Sequence, residues 1–521
     1  MKTNNNNKGG KTPLFFRMLN AVEAAGNRLP HPITLFFIFC IAIVIISAVC
    51  EMLGISASGE LVNSSTGELE MTTVTAVSLA NTDGIVYMLT KAVDNFTGFA
   101  PLGVVLVAML GVGTAEGSGY VSALLKRTVE ITPQKIITPV VVFLGVISNV
   151  ASDAGYVVLV PIGALMFAAY GRHPIAGLAA AFAGVSGGFS ANLIIGTLDP
   201  MLAGISTEAV QLIDPNYSVE PTANWFFMIV STFLITTLGT LITDFIVEPR
   251  LGSYNGSAAD EFSSKQLTPT ERKAITAANI TLLSLAAGLI LLLIPKNSFL
   301  RNPETGDLIA GAPFMEGIIT IIALMFFIPA VVYGFVSGEF KGEKDVCRAL
   351  GKAMSAMGAY IALAFISAQF INYFSYTRLG TIIAINGANL LKNAGIGGIP
   401  LMLLFIVFSA VINLLMGSAS AKWTILAPVF IPMFMLLGFS PELTQVAFRI
   451  GDSCTNVITP LMSHFAMILV FAKRYDENSG IGTLISTMLP YSIIFMIGWS
   501  VLLIIWMFLG LPLGPGAGLW V

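Results

Sequence analysis

Charged residues are scarce in this sequence. Only 11% of its 521 residues are Asp, Glu, Lys or Arg, whereas 55% are hydrophobic and the mean hydropathy is +0.84. A soluble protein has no way to bury so much apolar surface, and apolar runs of about 18 or more residues recur along the chain. The composition therefore predicts an all-α polytopic membrane protein in contact with the lipid bilayer. No basic cluster indicates nucleic-acid binding.

Cysteine and histidine are rare as well. The four cysteines do not show metal-ligand spacing, and the three histidines have no carboxylate or cysteine partner at such a spacing. Neither disulfides nor a metal centre are therefore expected. The Gly-rich loop ending in Lys-Ser or Lys-Thr that binds nucleotide phosphates is also missing, which favours secondary active transport. We expect no enzyme activity, no catalytic residue and no cofactor other than a coupling sodium ion.

The positions of lysine and arginine predict how the chain crosses the membrane. Residues 1–32 are polar and basic, so this segment is predicted to be cytoplasmic and retained rather than cleaved. A first span at 33–53 leads to an acidic external loop that ends near residue 84, and a basic cytoplasmic linker covers 249–273. We predict nine transmembrane helices and two re-entrant hairpins, with a cytoplasmic N-terminus and a periplasmic C-terminus.

Two apolar stretches are interrupted by polar residues near their centres. Residues 136–170 are broken at 148–153, and residues 398–438 are broken at 417–420. In the first stretch each half is too short to cross the ~30 Å hydrocarbon core. Irregular backbone at that depth is tolerated where it is buried in protein or lines a cavity. We therefore interpret both stretches as re-entrant hairpins.

The two halves of the chain resemble each other at an offset of 267 positions. Between residues 148–190 and their counterparts, ten of 43 aligned pairs are identical, where this composition gives roughly three or four by chance. The polar breaks also coincide at this offset. Because five predicted spans separate the hairpins, the hairpins enter from opposite sides. This arrangement is an inverted-topology repeat, which places substrate and coupling ions at the bilayer midplane.

The repeat divides the chain into a transport core and a scaffold. Repeat 1 covers 85–205 and repeat 2 covers 338–521, and together they are predicted to form the mobile core. The predicted scaffold consists of the first span with its external loop (33–84), the segment 206–248 and the two spans within 274–337.

The second hairpin and the helix that follows it hold unusually many polar residues for so apolar a region. Ionisable groups at membrane depth cost roughly 2.5–3.5 kcal/mol unless they are paired or face a cavity, so they are functional candidates. Arg449 and Asp452 share one helical face and form either a mutually neutralised structural pair or, through Arg449, a site for a substrate carboxylate. Trp423 either packs in the core or stacks on an aromatic substrate. Lys422 either reaches to the membrane surface or neutralises a carboxylate, and it is assigned no role.

Helix breaks supply candidate ligands for a coupling ion. Transporters hold sodium with oxygen ligands at broken helices, although the same serine and asparagine side chains also satisfy helix ends. The candidate sodium ligands are Ser148, Asn149, Ser152, Ser186, Ser418 and Asn456. Because desolvation favours the neutral form of a carboxylate, the candidate proton carriers are Asp153, Asp199 and Asp452.

Four stretches of the sequence resemble the AbgT family. They are NFTGFAPLG at 95–103, GRHPIAGLAAAFAG at 171–184, GSASAKW at 417–423 and RIGDSCTN at 449–456, and the resemblance covers nearly the whole chain. The family is similar in fold to the divalent-anion/sodium symporters, and the resemblance implies a homodimer in the bacterial inner membrane. The implied substrate is p-aminobenzoyl-glutamate, a small aromatic anion. Some members resemble efflux pumps for antimetabolites such as sulfonamides.

The resemblance also implies a substrate site. Carried over to this sequence, the family's proposed site falls on Asp199, Ser420, Trp423, Arg449, Asp452 and Pro460. Asn192 is a further candidate, because it ends a Gly- and Ser-rich stretch that forms a poor helix. The first hairpin departs from the related symporters, in which a threonine stands at the position of Val150. The hydroxyl at that position is lost, although Ser152 is close by in the sequence.

Two other classes of protein share some of these features. An ion channel also contains polar re-entrant loops, but it conducts ions without saturation. An intramembrane hydrolase would use Asp153 and Asp199 as a pair of carboxylates and would release aminobenzoate from its substrate.

Overall fold

The computed structural model describes residues 30, 32–62, 69–151, 155–254, 267–308, 312–462, 464–477 and 479–521. These regions are largely helical and contain one two-stranded sheet. Seven of the described helices are long and apolar enough to cross a membrane, and there is an eighth crossing if one bent pair of helices counts as a single span. The prediction of a polytopic helical membrane protein is therefore confirmed, whereas the count of nine spans stays a prediction.

Nine helices and two strands make up the first part of the chain. In order they are α1 (Pro32–Met52), β1 (Ser56–Val62), β2 (Leu69–Thr75), α2 (Thr82–Thr90), α3 (Ala92–Thr97), α4 (Ala100–Gly117), α5 (Tyr120–Glu130), α6 (Ile137–Ser148), α7 (Val160–Ala169), α8 (Pro174–Phe182) and α9 (Leu198–Val210). Four short turns adjoin them: the 3₁₀ turns Gln134–Ile136 and Asn149–Ala151, and the π turns Gly155–Leu159 and Ala183–Gly187.

Thirteen further described helices follow. They are α10 (Trp225–Ile242), which a π turn (Thr243–Val247) joins to α11 (Glu248–Leu251), then α12 (Pro269–Leu293), α13 (Pro313–Glu316), α14 (Ile318–Ser337), α15 (Glu343–Ala356), α16 (Gly358–Tyr376), α17 (Leu379–Asn393), α18 (Gly398–Leu415), α19 (Ala419–Met435), α20 (Pro441–Asn456), α21 (Phe465–Lys473) and α22 (Ile481–Leu509).

Some predicted spans are interrupted helices in the structure. The predicted span at 174–205 ends its first part at Gly187 and resumes as α9 at Leu198, because glycine and serine are poor helix formers. The chain after the second hairpin is broken in the same way, since α20 ends at Asn456 and α21 begins at Phe465. Each repeat thus contains a short helix, an irregular segment and a second helix.

The predicted external loop contains a β-hairpin, which is an addition to the all-α prediction. Strands β1 and β2 pair antiparallel, with Ser56 opposite Thr75 and Val62 opposite Leu69. The second strand reads LEMTTVT, a segment rich in the β-branched residues that fit a pleated sheet.

The same turn follows each predicted hairpin. Gly171 and Gly438 both adopt left-handed backbone conformations, with φ of 71° and 88°, which glycine accommodates without a Cβ penalty. Pro174 and Pro441 then occupy the first turns of α8 and α20, where the missing N–H costs nothing. These four residues are two pairs of the 267-position offset.

Close helix crossings fix the next element of each repeat against the hairpin. A Cβ built on Gly184 would lie 2.3 Å from the carbonyl oxygen of Val142, and one built on Gly451 would lie 2.3 Å from that of Ile406. Only glycine fits at such a distance. In the second repeat this crossing holds α20 directly against α18, and it positions the polar residues of α20 beside the hairpin.

Candidate functional site

Helix α20 carries the polar face around which the site is built. Ser440 caps its N-terminus and Pro441 occupies its first turn, so the helix begins at a defined position. Five polar residues then recur at spacings of three and four, which place them on one face. Each is at most 5% exposed, and they are Glu442, Gln445, Arg449, Asp452 and Asn456.

Arg449 is paired with Asp199, 250 residues away in the sequence. Its Nη2 donates to Asp199 Oδ1 at 2.6 Å, and both side chains are buried. The backbone N–H of Gly196 donates to Asp199 Oδ2 at 2.7 Å. The interpretation of Arg449 and Asp452 as a mutually neutralised pair is wrong, because the aspartate of the α9 N-terminus takes that place.

The Arg449 guanidinium retains unused hydrogen-bonding capacity. Its Nε is buried and has no hydrogen-bond partner among the described residues. A buried donor without an acceptor costs free energy. Arg449 can therefore gain from an additional oxygen ligand, and a carboxylate fits the planar guanidinium in two-point geometry.

Asp452 is paired with Lys422, a residue to which the sequence assigned no role. The Lys422 ammonium lies against Asp452 Oδ1 and the side-chain oxygen of Asn413, and the lysine and aspartate side chains are 0% and 1% exposed. Lys422 lies at the end of the first turn of α19. The second hairpin and α20 are therefore joined by a buried ion pair.

Asn413 adds a second connection between the second hairpin and α20. It lies near the C-terminal end of α18 and is fully buried. Its Nδ2 lies 2.6 Å from the carbonyl oxygen of Asp452, 2.8 Å from Thr455 Oγ1 and 2.9 Å from Asn456 Oδ1. None of the sequence motifs includes Asn413. A signal was present, because an asparagine four residues before the polar break of an apolar run needs a buried partner.

Trp423 belongs to a chain of buried hydrogen bonds. Its Nε1 donates to Ser206 Oγ at 3.0 Å, and Ser206 Oγ donates to Gln445 Oε1 at 2.7 Å. Gln445 Nε2 donates to Asn224 Oδ1 at 2.9 Å, and Asn224 Nδ2 donates to the Glu442 carbonyl at 3.0 Å. Every bond points in the same direction, so the chain fixes the indole of α19 relative to α9, α20 and the start of α10.

The indole ring of Trp423 is also packed against an aromatic neighbour. The ring centroid lies 4.5 Å from that of Phe448 at an interplanar angle of 27°, and Trp423 is 0% exposed. One face of the indole is therefore occupied in this conformation. A substrate ring can stack on that face only after Phe448 moves.

The start of α20 is polar as well. The hydroxyl of Tyr217 lies 3.1 Å from both carboxylate oxygens of Glu442. Burial raises the pKa of Tyr217, so the phenol stays protonated and donates to the carboxylate. A cavity of about 320 Å³ lined by Tyr217 and Glu442 opens at this end of the helix.

The tip of the first hairpin is described up to Ala151. Ser148 Oγ donates to a carbonyl of its own helix at 2.7 Å, and Asn149 Nδ2 donates to the Gly188 carbonyl at 3.3 Å. Asn149 Oδ1 is buried without a partner in the described part of the chain. Ser152 and Asp153 lie outside the described residues, so their predicted roles as sodium ligand and proton carrier stay predictions.

The structure brings the two predicted hairpin tips together around Met462. Its sulfur lies 3.9 Å from the Tyr156 hydroxyl of the first hairpin and 3.1 Å from Ser186 Oγ. A Cβ built on Gly417, at the break of the second hairpin, would lie 3.4 Å from the Met462 Cα. The irregular segment after α20 thus touches both hairpins.

The first tip also approaches the Arg449–Asp199 pair. A Cβ built on Gly196 would lie 3.5 Å from Val150 Cα and 3.7 Å from Asp199 Oδ2. The two breaks, the irregular segments and the charged residues of α20 therefore form one region in the protein interior.

The remaining candidates lie at the edges of this region. Ser418 caps α19 by accepting the N–H of Ala421, and its hydroxyl lies 3.3 Å from that of Ser420. Asn192 is buried and accepts the N–H of Leu193, which turns the irregular segment before α9. Ser418, Ser420 and Pro460 are half-buried.

The candidate sodium ligands fall into two groups. Ser148, Asn149 and Ser186 lie in the first repeat, and Ser418 and Asn456 lie in the second. Among the described residues no hydrogen bond joins the two groups, and no cluster of three or more His, Cys, Asp or Glu residues is placed to hold a metal ion. The role of these residues as sodium ligands stays a prediction.

Comparisons with known proteins agree with this architecture. The model of the AbgT putative transporter family matches residues 17–520. The p-aminobenzoyl-glutamate transport protein of Escherichia coli (strain K12) is 37% identical over 495 residues, which are 95% of each chain. These relatives are transport proteins rather than enzymes.

Two solved structures have the same fold. The crystal structure of the Alcanivorax borkumensis YdaH transporter, described as having an unusual topology, is 49% identical and superposes with a TM-score of 0.87, covering 93% of this chain and all of the other. Neisseria gonorrhoeae MtrF, assigned to a class of antimetabolite efflux pumps, is 48% identical with a TM-score of 0.90, covering 96% of this chain and all of the other. The chain belongs to the AbgT putative transporter family.

Proposed function

We propose that this protein is a secondary active transporter of p-aminobenzoyl-glutamate and related aromatic anions, including antimetabolites such as sulfonamides. The observation that carries the proposal is the buried Arg449 guanidinium, which is held by Asp199 and whose Nε has no hydrogen-bond partner in the described part of the protein. Arg449 lies in the region where both hairpin breaks meet. An arginine that is only structural would have its donors satisfied.

A substrate carboxylate would bind Arg449 in competition with Asp199. Guanidinium and carboxylate groups form two parallel hydrogen bonds, and p-aminobenzoyl-glutamate carries two carboxylates. Ser420 and Pro460 are half-buried, and we assign them to the approach to this site. Asp452, Asn192 and Trp423 are buried nearby, so they would contribute after the site opens. Antimetabolites that lack a carboxylate would depend more on the aromatic and apolar surface.

The buried position of the site requires a conformational change during transport. Arg449, Asp199 and Asp452 are each at most 4% exposed, so neither aqueous phase reaches them in this state. We assign the movement to a transport core made of repeat 1 (85–205) and repeat 2 (338–521). The scaffold would comprise 33–84, 206–248 and 274–337, with cytoplasmic segments at 1–32 and 249–273.

This assignment includes nine spans, two oppositely oriented re-entrant hairpins (136–170 and 398–438) and an inverted repeat in the bacterial inner membrane. The shared turns and the shared glycine crossings support it. In this arrangement the N-terminus is cytoplasmic, the C-terminus is periplasmic, and two copies form a homodimer.

The coupling ion is sodium or a proton. Oxygen atoms near the hairpin breaks, such as Asn149 Oδ1, which has no partner among the residues that the structure describes, would suit sodium. The buried carboxylates of Asp199 and Asp452 would suit protons.

Transport into liposomes tests the proposal. Purified protein should accumulate labelled p-aminobenzoyl-glutamate above the outside concentration when a sodium gradient or a pH gradient is imposed. Arg449→Ala should abolish this accumulation, whereas Arg348→Ala, at an exposed position on α15, should leave it unchanged.

Three results would reject the proposal. Uptake that ignores both gradients contradicts active transport, and flux without saturation indicates an ion channel. Release of aminobenzoate from the conjugate, instead of recovery of intact substrate, indicates an intramembrane hydrolase.

A further inference from the structure

The ammonium of Lys422 lies in an oxygen-lined position inside the protein. Its neighbours are Asp452 Oδ1 and Asn413 Oδ1, and its side chain is 0% exposed. The Asn413 amide nitrogen is directed at Thr455 and Asn456, so the oxygen of that amide is oriented towards the lysine. The surrounding hydrogen bonds are therefore arranged to receive a cation at this point.

The location of Lys422 is unfavourable for a permanent positive charge. The residue lies at the end of the first turn of α19, and the N-terminal end of a helix carries partial positive charge. Burial away from water adds to the penalty, because it disfavours the charged form. A lysine that had only to hold the hairpin would be placed better near a helix C-terminus.

The charged residues that surround Lys422 lie on the helices packed against α19. Helix α20 contributes Asp452 in direct contact, and its Arg449 is neutralised by Asp199 of α9. The other charged residues of these elements lie at their ends, namely Glu442 on α20, Glu208 on α9 and Lys392 on α17. Helices α16 and α18 carry no charged residue. Asp452 is therefore the group that compensates the ammonium.

We propose that Lys422 carries the coupling proton of this transporter. The step is the loss of one proton from the Lys422 ammonium to water on one side of the membrane and its return from water on the other side, with Asp452 remaining a carboxylate. No other bond is formed or broken. The inference rests on the transport function proposed above and assigns the coupling ion within it.

The ion pair links protonation to movement. When Lys422 is protonated, it forms a neutral pair with Asp452. The hairpin and α20 can then move through the membrane interior. When Lys422 is neutral, Asp452 is left as an uncompensated buried charge, which opposes the same movement. Substrate and proton are then carried together or exchanged, depending on which loaded state moves.

Lys422→Arg separates charge from proton transfer. Arginine keeps the positive charge but is not deprotonated in proteins. The variant should still exchange external labelled substrate for internal unlabelled substrate, because exchange requires a neutral Lys422–Asp452 pair but no loss of its proton. It should equilibrate substrate but not concentrate it, so a one-unit pH gradient of either sign gives an accumulation ratio near 1. The wild type should reach about tenfold for one proton per substrate, with the membrane potential clamped. Lys273→Arg, on an exposed position of α12, should behave as the wild type.

The outcomes distinguish this inference from the function on which it rests. A Lys422→Arg variant that concentrates substrate as the wild type does overturns the inference while transport stands. A wild type that neither exchanges nor accumulates substrate overturns the proposed function itself. If Lys422→Arg does not assemble, a pH dye inside wild-type liposomes gives the answer. Substrate flux should move protons when neither a sodium gradient nor a pH gradient is imposed. Flux that is driven by a sodium gradient and moves no protons overturns the inference.

Discussion

The two buried ion pairs predict a specific pattern of stability in double variants. Arg449→Leu leaves the Asp199 carboxylate buried, with the Gly196 N–H as its remaining partner among the described residues, and breaking a buried pair in this way costs roughly 3–5 kcal/mol. Arg449→Leu/Asp199→Leu removes the stranded charge as well. Replacing both partners with apolar residues is often neutral or even stabilising. The double variant should therefore be more stable than either single variant by roughly 3 kcal/mol.

A second combination provides the matched control. Arg449→Leu/Asp452→Leu breaks both ion pairs and strands Asp199 and Lys422 together, so it should be less stable than either of its single variants. The free energy of unfolding of each variant can be measured by SDS titration in mixed micelles, followed by circular dichroism. The pairing of Arg449 with Asp199 would be refuted if stability recovered in Arg449→Leu/Asp452→Leu but not in Arg449→Leu/Asp199→Leu.

Three further predictions concern packing and pH. Ser206→Ala and Ser231→Ala each remove a buried serine that accepts a tryptophan N–H, so both should lower the free energy of unfolding by about 1–3 kcal/mol. Only Ser206→Ala should raise KM for transport, since Ser231 lies outside the site. Gly451→Ala forces a Cβ against a backbone carbonyl and should destabilise the protein by about 1–3 kcal/mol in thermal unfolding. Gly351 lies in an exposed helix with open space around it, so Gly351→Ala should stabilise the protein by up to about 1 kcal/mol. Burial lowers the pKa of His173, whose Nδ1 accepts a helix N–H. Stability should therefore fall as the pH drops below about 6.5, the pKa of a histidine in the unfolded chain. His173→Asn should weaken this pH dependence in a thermal unfolding series.

Local sequence patterns predicted the positions at which helices stop. The polar interruptions 148–153 and 417–420 each coincide with a helix end, because serine, glycine and asparagine satisfy the backbone groups that a helix end leaves free. Gly171 and Pro174 recur as Gly438 and Pro441 at the 267-position offset, and the structure gives both pairs the same turn. These features depend on neighbours in the chain, so they are visible in the sequence.

The ion pairs were not predictable in the same way. Arg449 and Asp452 are neighbours on a helix, and that spacing suggested a pair, but their partners lie on α9 and α19. The contact between Arg449 and Asp199 spans 250 residues, and only the packing of the two repeats brings them together. Lys422 was given no role for the same reason, since a lysine beside a helix break either reaches for the membrane surface or neutralises a carboxylate, and the sequence does not show which.

The β-hairpin of the external loop was missed for a different reason. Hydropathy separates membrane spans from loops, but it does not report structure inside a polar loop. The alternation of apolar and polar residues over 69–72 (LEMT) was the available signal, and it is short.

Equilibrium binding of two ligands tests most directly whether Arg449 receives the substrate carboxylate. The measurement compares p-aminobenzoyl-glutamate with its bis-amide, which has the same aromatic body but no negative charge, on the purified wild type and on Arg449→Gln. The wild type should bind the acid roughly 10- to 100-fold more tightly, because a hydrogen bond to a charged group contributes about 1.5–3 kcal/mol. Arg449→Gln should bind both ligands weakly and with similar Kd values. A folded Arg449→Gln variant that keeps the full preference for the acid would contradict the account.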